Sequence, residues 1–279
     1  MADLTPDSFG WYSINGDPTH KDIQSLRAVG QLDKLSITKA RLITVDLAKR
    51  LRKLHSVHQL WLWCDVTRFA MRHIVRIPGL AVLDVLNLKP PGTLADFDLA
   101  TNLHTVRANN FLKENDVLEI TKCPSLQELG LQNAEITPTV LDALLSLQQL
   151  KALDIEGSLF DDQMAQRLST STIIESLEIG ATKITRDGLQ HLVSMKQLRS
   201  LDLWATDLVE DDFGLLLQLP TLEYISIGGY AHLPSLDSKK LVPLLLSFPS
   251  LKRVWLDGVS LTTTEREAFE AKLEQVRIT

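Results

Sequence analysis

Six-residue phrases recur along this chain at a fixed step of 24 residues: LQELGL (126–131), LKALDI (150–155), IESLEI (174–179), LRSLDL (198–203) and LEYISI (222–227). The step then lengthens to 29 before LKRVWL (251–256). Towards the N-terminus the same apolar spacing continues in LHTVRA from 103, LAVLDV from 80, VHQLWL from 57, LDKLSI from 32 and, more loosely, FGWYSI from 9. A unit of this size cannot bury its own apolar face, so copies must stack and share one continuous core. The spacing predicts short parallel strands starting near residues 11, 34, 59, 82, 105, 128, 152, 176, 200, 224 and 253. Each is followed by a segment that returns to the start of the next.

The phrases resemble the leucine-rich repeat, LxxLxL followed by a helical or irregular return. The returns ITRDGLQHLVSMK and ITPTVLDALLSLQ carry helical apolar spacing, with N-caps expected at Thr185 and Thr137 and Pro138 in the first turn. The units are therefore similar to the strand-plus-helix subclass, the ribonuclease-inhibitor-like and short bacterial repeats of 23–24 residues. They depart from the common pattern where an asparagine is usual, with Ser158, Thr182 and Thr206 instead. The resemblance implies an α/β fold, a curved solenoid of about eleven units with parallel strands on the concave face and helices on the convex face. A single solenoid is expected over 1–279: residues 1–31 as a cap or degenerate first unit, 32–250 as repeats, and 251–279 as the last unit and C-terminal cap.

Composition narrows the class further. An apolar content of 44% with 23% charge suits a folded globular chain, and no apolar run has signal-peptide or membrane-spanning length. A cytoplasmic location is expected, and no membrane partner. Because the repeat begins by about residue 9, a secreted effector with a disordered export segment is disfavoured. Cys64 and Cys123 share neither a CxxC motif nor metal-ligand spacing, and both read as reduced and structural. Residues 1–140 carry 16 Lys/Arg against 15 Asp/Glu, whereas residues 141–279 carry 13 against 20. An acidic half lacks the cationic footprint that phosphate backbones require, so nucleic acid is excluded there and a basic partner is favoured.

Successive residues of a strand point to opposite faces. With each unit numbered from its first apolar residue, positions 1, 4 and 6 are core and positions 3, 5 and 7 face the open side. All five tryptophans fall on the open side: Trp11 at position 3, Trp61 and Trp255 at position 5, Trp63 and Trp204 at position 7. Tyr224 joins them at position 3. Aromatic residues suit strands and pack against cross-strand neighbours, which is one reading. Their restriction to the open side favours the other, that they are anchors for a partner. Position 5 also runs Asp84, Arg107, Gly130, Asp154, Glu178, Asp202, Ser226, Trp255, with Glu156 and Asp257 beside it at position 7. Adjacent strands lie about 4.8 Å apart, so Asp154, Glu178 and Asp202 form a column of like charge. The five extra residues of the 29-residue step fall in 228–237, where Tyr230 and His232 could contact a ligand and Gly228 and Gly229 permit a turn.

Catalytic signatures are absent from the sequence. His55 and His58 form HxxH across a unit boundary with no third ligand at metal spacing, His104 and His191 stand singly, and SIGGYAH (226–232) is not a phosphate loop. No cofactor, metal or catalytic residue is expected, and an open strand face should desolvate its carboxylates little. Arg68, Arg72 and Arg76, with KRLRK at 49–53, make a basic patch on the convex helices, read chiefly as a solvated face. The expected function is a non-enzymatic protein-binding module. By the resemblance to ribonuclease inhibitors, which meet a cationic enzyme with an acidic solenoid surface, it is an inhibitor or immunity-type protein that holds a basic toxin or nuclease in its concavity. A scaffold joining two partners and a hydrolase using Asp154 and Glu178 are the alternatives. Oligomeric state is left open.

Overall fold

A computed structural model describes residues 5–90, 92–108, 111–230 and 236–279. The chain forms two compact units, one ending at Glu135 and the other spanning Ile136–Thr279. In the first, six strands pair in parallel and in chain order: β1 (Trp11–Asn15), β2 (Lys34–Thr38), β3 (Gln59–Thr67), β4 (Val82–Lys89), β5 (Thr105–Ala108) and β6 (Glu128–Gly130). Their returns contain α1 (His20–Ala28), α2 (Val45–Leu51), α3 (Arg68–Ile74), a 3-10 turn (Phe97–Leu99) and α4 (Glu114–Ile120).

The second unit repeats the plan. It begins with α5 (Pro138–Ser146), and its strands β7 (Ala152–Asp154), β8 (Ser176–Glu178), β9 (Ser200–Asp202), β10 (Tyr224–Gly228), β11 (Arg253–Asp257) and β12 (Gln275–Ile278) again pair in parallel and in order. Between them run α6 (Asp162–Leu168), α7 (Arg186–Leu192), α8 (Glu210–Phe213) with a 3-10 turn (Gly214–Gln218), α9 (Ser238–Ser247) and α10 (Thr263–Lys272). Eleven strands start at the residues the repeat predicts. The first unit of the repeat, despite its loose match, forms a true strand that pairs with β2 over its whole length. β12 is the addition: the stretch expected only as a cap closes the sheet with a further strand against β11.

The two layers meet over the leucines. Leu35, Leu60, Leu83, Leu177, Leu201 and Ile225, all from strands, are fully buried, as are Leu51, Val117, Leu168, Leu192 and Leu245 from the helices. Each such side chain contributes about 1.5–3 kcal/mol relative to exposure. The helices start where a side chain can take an orphan amide: Thr137 Oγ1 accepts from Val140 N at 3.2 Å and Thr185 Oγ1 from Asp187 N at 3.3 Å, with Pro138 opening α5. In place of the usual asparagine, Thr182 and Thr206 donate to the carbonyls of Ile179 and Leu203 three residues back, at 2.6 and 2.7 Å. Ser158 is buried without a partner for its hydroxyl. Both cysteines are buried and free, and burial, with Asp65 and Asp17 nearby, pushes the Cys64 thiol up to about 11.

Candidate binding surface

On the open face of the first unit, small residues on β2 make room for large ones on either side. Ser36 pairs in register with Ser13 and Trp61, and the Trp61 ring reaches across β2 to Trp11, centroid to centroid 4.0 Å. Trp63 stacks on Trp61 at 5.6 Å with ring planes 3° apart. The stack covers β2, and Ser36 is buried in consequence. Trp63 remains 50% exposed, and the register of β3 against β4 shifts just there, between Leu62 and Asp65. Lys34 stands 6.0 Å above the Trp11 ring. Asp84 lies in register between Trp61 and Arg107, half-buried, and its carboxyl is raised by burial with partial relief from Arg107. Arg107 itself pairs with Glu128 at 3.3 Å.

On the second unit the open face is acidic. Register places Asp154, Glu178 and Asp202 side by side, followed by Ser226 and Trp255. Two residues further along, the ladder continues through Gly157 N to Gly180 O (2.9 Å), Ala181 N to Trp204 O and Ala205 N to Gly228 O (both 2.6 Å). A second row therefore holds Glu156, Gly180, Trp204, Gly228 and Asp257. Asp202 is only 9% exposed; its Oδ1 accepts from Trp204 N at 2.7 Å, yet burial raises its pKa. Glu156 is raised by burial first and then by the charges of Asp154 and Asp202. Tyr224 is raised by burial and by Asp202. This corrects the expectation that an open strand face would desolvate its carboxylates little: burial is the first cause of the rise at both Asp202 and Glu156.

The tryptophans of this unit are held from within. Trp204 Nε1 donates to Asp257 Oδ2 at 2.7 Å, and its ring meets Tyr230 edge-on at 4.8 Å. Thr279 Oγ1 donates to Asp257 Oδ1 at 2.7 Å and accepts from Trp255 Nε1 at 2.9 Å. The Arg277 guanidinium from β12 lies 4.5 Å over the Trp255 ring, and that of Arg253 lies 5.4 Å over Tyr224. Asp257 is accordingly a positioning residue for Trp204. Its pKa is lowered, first by the Trp204 hydrogen bond and then by Thr279. Sequence reasoning missed Thr279, Arg277 and Arg253, because they act through side-chain reach across strands and carry no periodic signal. Of the 228–237 insertion, Tyr230 is described and exposed, whereas 231–235, His232 included, lie outside the described residues.

The basic patch divides in two. Arg68 forks onto Asp116 at 2.8 and 3.1 Å with both side chains largely buried, and Arg72 and Arg76 reach Asp96 at 3.6 and 2.9 Å. Arg68 is thus an internal tie, whereas Arg72 and Arg76 stay partly exposed while paired to Asp96. Lys49, Arg50, Arg52 and Lys53 stay exposed; Lys49 and Arg52, with burial foremost, hold the His73 pKa down. His58 Nδ1 sits 2.7 Å from Asp33, and among the described residues no three His, Cys, Asp or Glu side chains are grouped to hold a metal.

No protein-family model and no curated relative matches the sequence. Solved structures do. An internalin (inlF) from Listeria monocytogenes superposes with a TM-score of 0.55 at 17% identity, over 96% of this chain and 82% of that one. A leucine-rich-repeat protein from Leptospira interrogans gives 0.52 at 19% identity, over 93% and 68%. At such identities the likeness is one of fold, and the chain is a parallel-stranded solenoid of the leucine-rich-repeat type.

Proposed function

We propose that this chain is a non-enzymatic protein-binding module of the strand-plus-helix, ribonuclease-inhibitor-like kind, and that it captures a basic protein on the acidic strand face of its second unit. The observation that supports this reading is the Asp154, Glu156, Glu178 and Asp202 group. Within it Glu156 and Asp202 are drawn out of water, and the charges of Asp154 and Asp202 raise Glu156 further. Like-charge crowding of this sort costs stability, and a cation brought by a partner relieves it. By analogy with an inhibitor that blocks a cationic enzyme sterically, an inhibitor or immunity-type role fits best. The open face supplies contact area through Trp204, with Tyr224 beside it, while acidic charge steers encounter.

The test compares the wild type with the variant carrying Asp154→Asn, Glu178→Gln and Asp202→Asn as baits in extracts of the native host. The expected result is a protein of high isoelectric point that the wild type retains at low salt, releases as salt rises, and that the variant does not retain. Equal retention by both baits would overturn the assignment of the surface. The exposed Lys49, Arg50, Arg52 and Lys53 on the helix side keep a second reading open, a scaffold that also meets an acidic partner.

A further inference from the structure

Asn15, Thr38 and Trp63 stand side by side on the open face of the first unit, each in register with the next on β1, β2 and β3. Trp61 covers one face of the Trp63 indole, yet Trp63 is half exposed, so its outer face is open to solvent. Leu86, exposed on β4, extends the apolar surface on the far side. From Asn15 to Trp63 is two strand spacings, about 10 Å. The three residues make a shelf with a flat apolar floor and an amide and a hydroxyl along its edge.

A second observation separates this shelf from ordinary strand packing. Trp204 and Trp255 spend their Nε1–H groups inside the chain, on Asp257 and Thr279. Among the described residues nothing accepts the Nε1–H of Trp11, Trp61 or Trp63, and neither Trp11 nor Trp61 buries it. The side chains of Asn15 and Thr38 are likewise uncommitted among the described residues. Charge on this face is balanced: Lys34 and Arg107 are matched by Asp84 and Glu128, and Asp65 by Lys89 at 3.9 Å. Lys34 is further held by the Phe9 carbonyl at 3.2 Å. The face therefore offers a ring and neutral hydrogen-bonding groups, with no net charge to draw an ion.

We propose that this shelf is a carbohydrate site, in which a neutral pyranose with equatorial hydroxyls lays its C–H face on the outer face of Trp63 while Asn15 and Thr38 hydrogen-bond hydroxyls at the ring edge. The site is separate from the acidic face of the second unit and does not depend on the reading given for it. Ring C–H groups are weakly positive and meet the negative face of an indole, and sugar hydroxyls both donate and accept, as an amide and a threonine hydroxyl require. Two other ligands that stack on aromatics fit less well. A proline ring needs a slot between aromatic side chains, and centroid spacings of 4.0 and 5.6 Å leave none within the stack. A nucleic acid brings phosphates, which need a cationic footprint that this balanced face lacks.

The probes are cellohexaose, hexaproline and the single-stranded hexanucleotide of thymidine, titrated into the full chain by calorimetry and by tryptophan emission. Cellohexaose is expected to bind saturably, to shift the emission, and to keep its affinity as salt rises. Trp63→Ala should weaken it roughly tenfold or more, as the loss of an anchor does. Trp63→Phe should weaken it less, because a ring remains. Asn15→Ala and Thr38→Val should each weaken it roughly threefold to tenfold, the worth of one hydrogen bond. Leu159→Ala, an exposed apolar side chain away from the shelf, should change nothing. Trp63 lies outside the core, and an unchanged melting temperature of Trp63→Ala would confirm that the loss is one of binding. Cellohexaose binding equally to wild type and Trp63→Ala would overturn the site. Failure of cellohexaose to bind, or Trp63-dependent binding of hexaproline or of the nucleotide in its place, would overturn the carbohydrate assignment.

Discussion

Asp202 and Asp257 belong to the same face, yet their surroundings push them in opposite directions. Burial raises Asp202, so the folded chain takes up its proton more readily than the unfolded chain does. The stability this residue contributes is present below the unfolded carboxylate value and is lost as pH rises through the folded one. Asp257 is lowered by its bonds from Trp204 and Thr279, so its contribution is present above the unfolded value and is lost as pH falls through the folded one. Asp202→Asn, which retains the oxygen facing Trp204 N, should therefore raise the melting temperature at pH 7, with the gain shrinking on acidification. Asp257→Asn should lower it at pH 7, with a deficit that also shrinks on acidification. Thermal melts between pH 3 and pH 8 check both, and gains or losses independent of pH would show that charge is not their cause. A strand period can place a carboxylate on a face, as it did for both residues. It cannot say that one of them will be buried while an indole 53 residues away donates to the other.

At the level of elements, the start of every predicted strand was legible because LxxLxL fixes both period and facing. β12 was not. Gln275–Ile278 holds only Val276 and Ile278 as apolar residues, lacks the repeated phrase, and is a strand because β11 offers an edge to pair with. The Arg68–Asp116 tie was equally hidden, since its partners stand 48 residues apart and meet only after the returns have stacked. It joins the first residue of α3 to the first turn of α4 with both groups largely out of water. Arg68→Ala should cost about 3–5 kcal/mol by leaving a buried carboxylate unpaired. The double variant Arg68→Met with Asp116→Leu should recover most of that. Urea unfolding measures both, and a single variant as stable as the wild type would mean the pair is solvated.

Across the whole chain, charge and aromatic side chains are sorted between the two units. The stacked Trp11, Trp61 and Trp63 belong to the first, and the crowded carboxylates with Trp204 and Trp255 to the second. The sequence showed this sorting as a charge imbalance between its halves and as tryptophans confined to one strand face. It did not show that the N-terminal indoles bind one another, because contact across an intervening strand depends on Ser36 and Thr38 being small.

That stack has an optical consequence. Indole transitions 4.0 Å apart in rings tilted by 40°, as in Trp11 and Trp61, are skewed and couple as excitons, so the first unit should give a paired positive and negative band in the ultraviolet circular dichroism. Trp204 and Trp255 have no indole partner among the ring contacts described, and their emission should answer instead to Asp257, Arg277 and whatever docks beside them. Trp11→Phe should abolish much of the couplet and leave the emission of the second unit unaltered. If so, one unlabelled sample reports each unit at its own wavelength, and unfolding of one ahead of the other would be visible as a couplet lost before, or after, the emission shifts.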